Sequence, residues 1–335
     1  MTVIDLSTNE NPLGPSPRVV EAIEREARRV HRYPARDDAA LRQALAAHHG
    51  RGLTPDHFFT GASASEVLAF IARAALHPGD EAIICSPTFP VYASTIGQQD
   101  ARLVDVPLDP VTAAHDVDRI LAAITPRTRL TYVCNPGNPT GVVMHDPNFR
   151  SLLERVPAGV VVVADEVYYQ YVDGGNFPDT IEQVQAGRDV VIVHSFSKGY
   201  GLAGMRLGYG IARPELVVRF GKFRLTYHLS GIAQAAGIAA LEDQDHVRKT
   251  LALTREGRAY LYGELDRLGI RYWRSDANFV LTAPANPAAV LARLATDGIL
   301  VRPVEGPGKV ACLRVSIGRA EANRRVIDAM NRGDA

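Results

Sequence analysis

Three groups of residues carry side chains that could do chemistry together. Lys198 closes the run DVVIVHSFSK at 189–198, with Ser195 and Ser197 beside it. Asp165-Glu166-Val167-Tyr168 follows the apolar run that starts at Gly159, and Asn138 lies in Asn135-Pro136-Gly137-Asn138-Pro139-Thr140-Gly141. An amine that forms Schiff bases, a carboxylate that holds a ring nitrogen, and amide and phenol donors for a ring oxygen are the set a pyridoxal phosphate site needs. Taken singly, each has a plainer role open to it: a solvated lysine, a helix-capping aspartate, a turn asparagine and a core tyrosine.

The elements that must position these groups are short β-branched runs with turn residues after them: 82–87, 130–136, 159–166 and 189–198. Helical periodicity lies between them over 66–76 and 117–124. Alternation of this kind predicts βαβ units. Runs apolar on both faces, such as Val160–Val163, suit a mainly parallel sheet covered on both sides by helices, and such sheets bind ligands beyond the carboxyl ends of their strands. After about residue 245 the texture changes to one long helix over 247–268, short strands over 278–283 and 309–317, and amphipathic helices over 287–297 and 320–332. These predict a smaller α+β unit. A helix over 17–30 follows an extended N-terminal arm and could pack on either unit.

Two other motif matches fail in context. Gly199-Tyr200-Gly201-Leu202-Ala203-Gly204 fits the dinucleotide fingerprint, but the following Met205–Ala212 reads as a strand and 219–224 holds no acid. Ser195-Phe196-Ser197-Lys198 fits the serine acyl-transferase motif S-x-x-K, but Lys-Thr-Gly is missing and Ser275-Asp276-Ala277-Asn278 only approximates its other companion. The 37 Lys+Arg balance 37 Asp+Glu, so no general field attracts nucleic acid or a membrane surface, and no apolar run approaches a membrane span. Nothing in MTVIDLSTNENPLGP marks export, so a cytoplasmic location is expected. Cys85, Cys134 and Cys312 are too scattered for a zinc site, no metal is expected, and buried thiols are the reading.

The strings NPxNPTG, ADExY and SxSK followed by Gly-Leu-Ala-Gly-Met-Arg-Leu-Gly resemble the fold type I, class I/II pyridoxal phosphate-dependent aminotransferases. The opening Ser7-Thr8-Asn9-Glu10-Asn11-Pro12 and Arg32-Tyr33-Pro34 are most similar to the histidinol-phosphate aminotransferase branch. The resemblance implies an α/β fold: a large cofactor domain over 31–247 with a mainly parallel seven-stranded sheet between helices, and a small domain made of 1–30, including the N-terminal arm, and 248–335. It implies that Lys198 binds the cofactor as a Schiff base and then moves the substrate proton, which an amine pKa lowered by neighbouring cations would favour. By the same resemblance Asp165 pairs with the ring nitrogen, while Asn138 and Tyr168 donate to the ring oxygen and Phe89 stacks on the ring. Ala64, Ser65, Ser195, Ser197 and Arg206 hold the phosphate, joined by Tyr33 of the neighbouring subunit in a homodimer with shared sites. A strand-to-helix junction at 61–66 suits an anion on physical grounds as well, although N-capping by Ser63 or Ser65 would use the same residues. Arg314 is implied to fork the substrate carboxylate, with Arg302 and Asn11 as further substrate contacts.

The expected activity is transamination of the EC 2.6.1 type on an L-amino acid or amino-alcohol phosphate, with a 2-oxo acid such as 2-oxoglutarate as acceptor. The alternatives on the same fold are a decarboxylase of the threonine-phosphate type, an oxidase or cyclase, or a non-catalytic cofactor-binding module. Only MTVIDL precedes Ser7, so the longer arm with which the branch closes over its substrate is expected to be missing.

Overall fold

Strands apolar on both faces need cover on both faces, and that requirement shapes the larger unit. The computed structural model describes residues 3–332. Ile4–Asp5 forms β1, and the large sheet draws on β2 (Phe58–Gly61), β3 (Glu81–Ile84), β4 (Arg102–Asp105), β5 (Thr128–Cys134), β6 (Val161–Asp165), β7 (Val190–Ser195) and β8 (Gly208–Ala212). Among the described residues these seven strands run in the order β2-β8-β7-β6-β5-β3-β4, with β8 antiparallel to both its neighbours and the remaining pairs parallel. Every residue of β6 and β7 is buried. One apolar core, containing Val162, Ala164, Ile192 and Tyr209, lies on one face of the sheet, and another, containing Val163, Val193 and Tyr132, lies on the other. This is the α/β architecture expected.

The helices that fill those two layers were only partly visible as periodic patterns. α1 (Pro17–Ala27) and α2 (Ala39–His49) pack on the helix Gly231–Glu242. That last helix, GIAQAAGIAALE, is apolar nearly all round, so it lacks the polar face by which a surface helix announces itself. α3 (Ala64–Ala75) begins two residues before the expected start, because Ser63 caps it by accepting from the Glu66 N–H at 3.3 Å. α4 (Val91–Gly97) is short and starts after Phe89 and its cap residue Pro90.

The smaller unit carries β9 (Arg271–Trp273), β10 (Phe279–Ala283), β12 (Arg302–Glu305) and β13 (Ala311–Ser316) in an antiparallel sheet ordered β12-β13-β10-β9. The long helix Gln244–Arg267 and the helices Pro287–Thr296 and Ala320–Asn331 accompany it. Residues 1–30 were expected with this unit, and the structure divides them. β1 pairs in parallel with β11 (Ile299–Leu300), and Leu6 enters the small core, whereas α1 sends Val19 into the core of the large unit. Residues 1–2 and 333–335, the outer ends of the expected domain ranges, lie outside the described residues.

Candidate active site

The carboxyl ends of β5, β6 and β7 open onto a cleft of about 470 Å³, within the range of small-molecule sites. The turn after β5 delivers Asn138, the end of β6 delivers Asp165 and Tyr168, and the end of β7 delivers Ser195, Ser197 and Lys198. The first turn of α3 adds Ala64 and Ser65. Phe89, Arg206, Arg302 and Arg314 complete the predicted set within the same lining.

Lys198 Nζ donates to the carbonyls of Thr8 at 3.2 Å and Asn9 at 3.1 Å. Burial pushes its pKa down to about 8; the Arg314 and Arg206 guanidiniums push the same way, and Glu10 opposes them. A minor but useful fraction of this amine is therefore neutral near physiological pH, far more than for a free lysine, so it can take up a proton.

Asp165 is fully buried, and its two oxygens differ. Oδ2 accepts from the Tyr92 hydroxyl at 2.5 Å, while Oδ1 has no partner within the protein. Burial pushes the carboxyl up to about 6, against the pull of Tyr92 and of the Val167 N–H. A buried, unpartnered carboxylate oxygen facing a cleft is costly unless a ligand donates to it, and a protonated ring nitrogen would do so. The residues present therefore fit pyridoxal phosphate.

Tyr168 is buried against the edge of Phe279, with ring centroids 5.2 Å apart, and its hydroxyl accepts from Asn9 Nδ2 at 3.0 Å. Burial pushes this phenol up to about 12, so it stays protonated and able to donate. Asn138 Oδ1 accepts from Arg314 Nη1 at 2.7 Å, and Arg314 Nη2 donates to the Ser7 carbonyl at 2.7 Å, while its Nε is buried without a partner. Arg302 on β12 sits opposite Arg314 on β13 in the sheet register, so two cations meet at one wall of the cleft.

The first turn of α3, with Ala64 and Ser65, lines the cleft together with Ser195, Ser197 and Arg206, and a helix N-terminus of this kind suits an anion. Gly208 on β8 lies so close beneath that turn that a Cβ there would overlap the backbone of Ser63 and Ala64. Arg206 adopts a left-handed backbone (φ 52°) and ties Nη1 to the Ala203 carbonyl at 2.9 Å.

Two predicted residues lie outside this lining. Asn11 was expected to contact substrate, but its Nδ2 donates to the Gly199 carbonyl at 3.1 Å and to Thr250 Oγ1 at 3.0 Å, and its Oδ1 accepts from the Leu13 N–H, so the side chain fastens the N-terminal segment instead. Tyr33 is 83% exposed and packs its ring at a tilt against Tyr227, outside the lining of its own chain's cleft. Sequence reasoning missed Tyr92 and Asn9. Tyr92 lies in the first turn of α4, and its ring meets that of Phe89 edge to face with centroids 5.8 Å apart. Asn9 sits within the Ser7–Pro12 string, and nothing in one sequence distinguishes it from Asn11. Its left-handed backbone (φ 57°) turns its amide to Tyr168 and Ser316.

Comparisons with known proteins find relatives over nearly the whole chain. The family model for aminotransferase class I and II matches residues 1–330. A histidinol-phosphate aminotransferase of Moorella thermoacetica is 38% identical over 98% of this chain and 84% of its own, and one of Symbiobacterium thermophilum is 42% identical over 98% and 90%. Among solved structures, the histidinol-phosphate aminotransferase of Sinorhizobium meliloti in complex with pyridoxal-5'-phosphate superposes with a TM-score of 0.90 at 28% identity, covering 98% of this chain and 90% of that one. The aspartate aminotransferase of Thermus thermophilus with maleate superposes at 0.87 with 26% identity, covering 98% and 91%.

Proposed function

The chain belongs to the class I and II aminotransferase family, and from that premise we propose that it is a pyridoxal phosphate-dependent transaminase acting on histidinol phosphate, with a 2-oxo acid such as 2-oxoglutarate as acceptor. The observation that carries the cofactor assignment is the unpartnered buried Oδ1 of Asp165 in one cleft with the lowered amine of Lys198. The substrate assignment rests on the relatives' names and on the paired cations Arg314 and Arg302. In histidinol phosphate a phosphate ester replaces the α-carboxylate of an amino acid, and a guanidinium fork accepts either group. The decarboxylase, oxidase or cyclase and non-catalytic alternatives are not favoured by these relatives, which bear aminotransferase names.

When bound, pyridoxal phosphate supplies an electron sink for the pair left behind as a proton leaves the substrate Cα. Lys198 would hold the cofactor and then carry that proton, since its lowered pKa lets it act as a base near neutral pH. Asp165 would keep the ring nitrogen protonated, steadied through Oδ2 by Tyr92. Tyr168 and Asn138 would donate to the ring hydroxyl oxygen, and Phe89 would cover the ring and keep water off it. The α3 N-terminus with Ala64, Ser65, Ser195, Ser197 and Arg206 would hold the phosphate. Tyr33 would complete that site in a partner subunit, a role consistent with its exposure and with the neighbouring exposed Leu225 and Tyr227. A homodimer with shared sites, acting in the cytoplasm on small molecules, is part of the same proposal. Among the described residues no helix is long and apolar enough to cross a membrane.

The test is a half-reaction. Purified protein reconstituted with pyridoxal phosphate should turn to the pyridoxamine form on addition of histidinol phosphate and return on addition of 2-oxoglutarate, with the keto product released. Release of CO2 or peroxide without that conversion would refute transamination. Lys198→Ala should lose the visible band of the lysine-bound cofactor, and persistence of that band would refute the role of Lys198.

A further inference from the structure

Behind the cleft, on the opposite face of the large sheet, a row of buried polar side chains crosses three adjacent strands. Consecutive strand residues point to opposite faces, so Asp165 and Ser195 face the cleft while Glu166, just past β6, and His194 on β7 face away. Tyr209 on β8 stands opposite His194 in the register. Thr180 donates to Glu166 Oε1 at 2.5 Å, Glu166 Oε2 lies 3.3 Å from His194 Nε2, and His194 Nδ1 lies 3.1 Å from the Tyr209 hydroxyl. The Tyr209 hydroxyl lies 2.9 Å from Nε2 of His49 on α2, and the Tyr169 ring stacks on His194 with centroids 4.0 Å apart.

The position of this row matters. Main-chain pairing between β6 and β7 ends at Asp165–Val193 and the Glu166 N–H to Val193 carbonyl bond, after which the two chains part to carry Tyr168 on one side and Lys198 on the other. The Glu166–His194 contact is the link where the backbone ladder stops. We propose that Glu166, His194, Tyr209 and His49 are positioning residues whose buried hydrogen-bonded row staples the ends of β6 and β7, and so fixes Asp165 and Lys198 relative to each other. This rests on the proposed cofactor chemistry.

Burial also favours a row without charge. It pushes the Glu166 carboxyl up to about 8, against the pull of the Thr180 hydroxyl and with the nearby Asp179 carboxylate adding to the rise. Burial, with His48 nearby, pushes His194 down to about 3, and burial with His194, His48 and Arg51 pushes His49 down to about 2. One set of protons then satisfies the row without charge. Thr180 donates to Glu166, the Glu166 acid to His194 Nε2, His194 Nδ1–H to Tyr209, and the Tyr209 hydroxyl to His49. None of these groups lines the cleft, so they would act through Asp165 and Lys198.

The test compares Glu166→Gln, which can still donate to His194 and accept from Thr180, with Glu166→Leu, which can do neither. Amide hydrogen exchange is followed at 165–168 and 195–199 in cofactor-free full-length protein, and the pH titration of the bound cofactor's visible band is followed in the holoprotein. Glu166→Leu should speed exchange in both segments, weaken cofactor binding by about tenfold and raise the titration midpoint by about one unit as the pairing of Asp165 loosens. Glu166→Gln should restore most of each. A Leu variant that matches wild type in both readouts overturns the proposal, and so does a Gln variant as impaired as Leu, which would make the carboxylate charge the active feature. Should Glu166→Leu fail to fold, His194→Phe keeps the ring stack, removes the hydrogen bonds and is judged by the same outcomes. If wild-type protein takes up no cofactor, the functional proposal falls, while the exchange readout still decides for or against the staple.

Discussion

At the scale of single residues, the cleft works by leaving a few groups unsatisfied for a ligand to complete. Asp165 is the clearest case, and its raised pKa carries a consequence for stability. A carboxyl whose folded pKa lies near 6 against 3.8 when unfolded contributes stability that is fully present below about pH 4 and lost as pH rises through about 6. A cationic ring nitrogen removes that loss. The stabilisation gained on adding pyridoxal phosphate, read as the shift in urea midpoint, should therefore grow between pH 5 and pH 7, and Asp165→Asn should abolish the growth. Equal shifts at both pH values would contradict the pairing. Arg314 offers a second test, because its planar fork bridges Asn138 and the Ser7 carbonyl at once. Arg314→Lys keeps the charge but loses the fork. Its KM for the amino donor should rise by about tenfold to a hundredfold, with cofactor uptake unchanged, as steady-state kinetics and absorbance would show. These residues differ in how legible they were. Lys198, Asp165 and Asn138 each follow an apolar run at the ligand-binding edge, so strand pattern and chemistry point to them together. Tyr92 and Asn9 carry no such mark, since hydrogen bonds to Asp165 and Tyr168 join segments 73 and 159 residues apart in sequence.

At the scale of elements, the pattern of runs told which strands exist but not how β8 runs. The string after Lys198 read as a strand, and that β8 lies antiparallel between β2 and β7 is a matter of tertiary pairing. That placement sets Gly208 under the first turn of α3, where a methyl group would strike the backbone of Ser63 and Ala64. Gly208→Ala should displace the turn, cost about 1–3 kcal/mol of stability by overpacking and weaken pyridoxal phosphate binding more than it weakens folding. Calorimetry of the holo and cofactor-free forms separates the two effects, and unchanged cofactor affinity would show that the turn does not hold the phosphate. The helix Gly231–Glu242 was illegible for a related reason: buried on most sides, it has no polar stripe to give a period.

At the scale of the whole molecule, the cleft is made by three parts that meet only on folding: the strand ends of the large sheet, Arg302 and Arg314 of the small sheet, and the N-terminal segment at Thr8–Glu10. A fourth part is proposed to come from a second copy. If Tyr33 serves the partner's site, Lys198→Ala and Tyr33→Ala chains, each impaired alone, should regain activity when refolded together. Random pairing gives about a quarter of wild-type sites, and no recovery in a dimer confirmed by sedimentation would refute shared sites. The α/β class, the strand ends and the groups that line the cleft can be read from the chain alone, because these follow from local periodicity and from side-chain chemistry carried at the ends of strands. Tertiary structure alone decided that α1 joins the large core while β1 joins the small unit, that Asn9 and not Asn11 turns to the site, and that Glu166, His194, Tyr209 and His49 stand in one row. Those outcomes depend on which distant segments pack together and on which backbone angle turns a side chain toward them, and neither is written in the local pattern of residues.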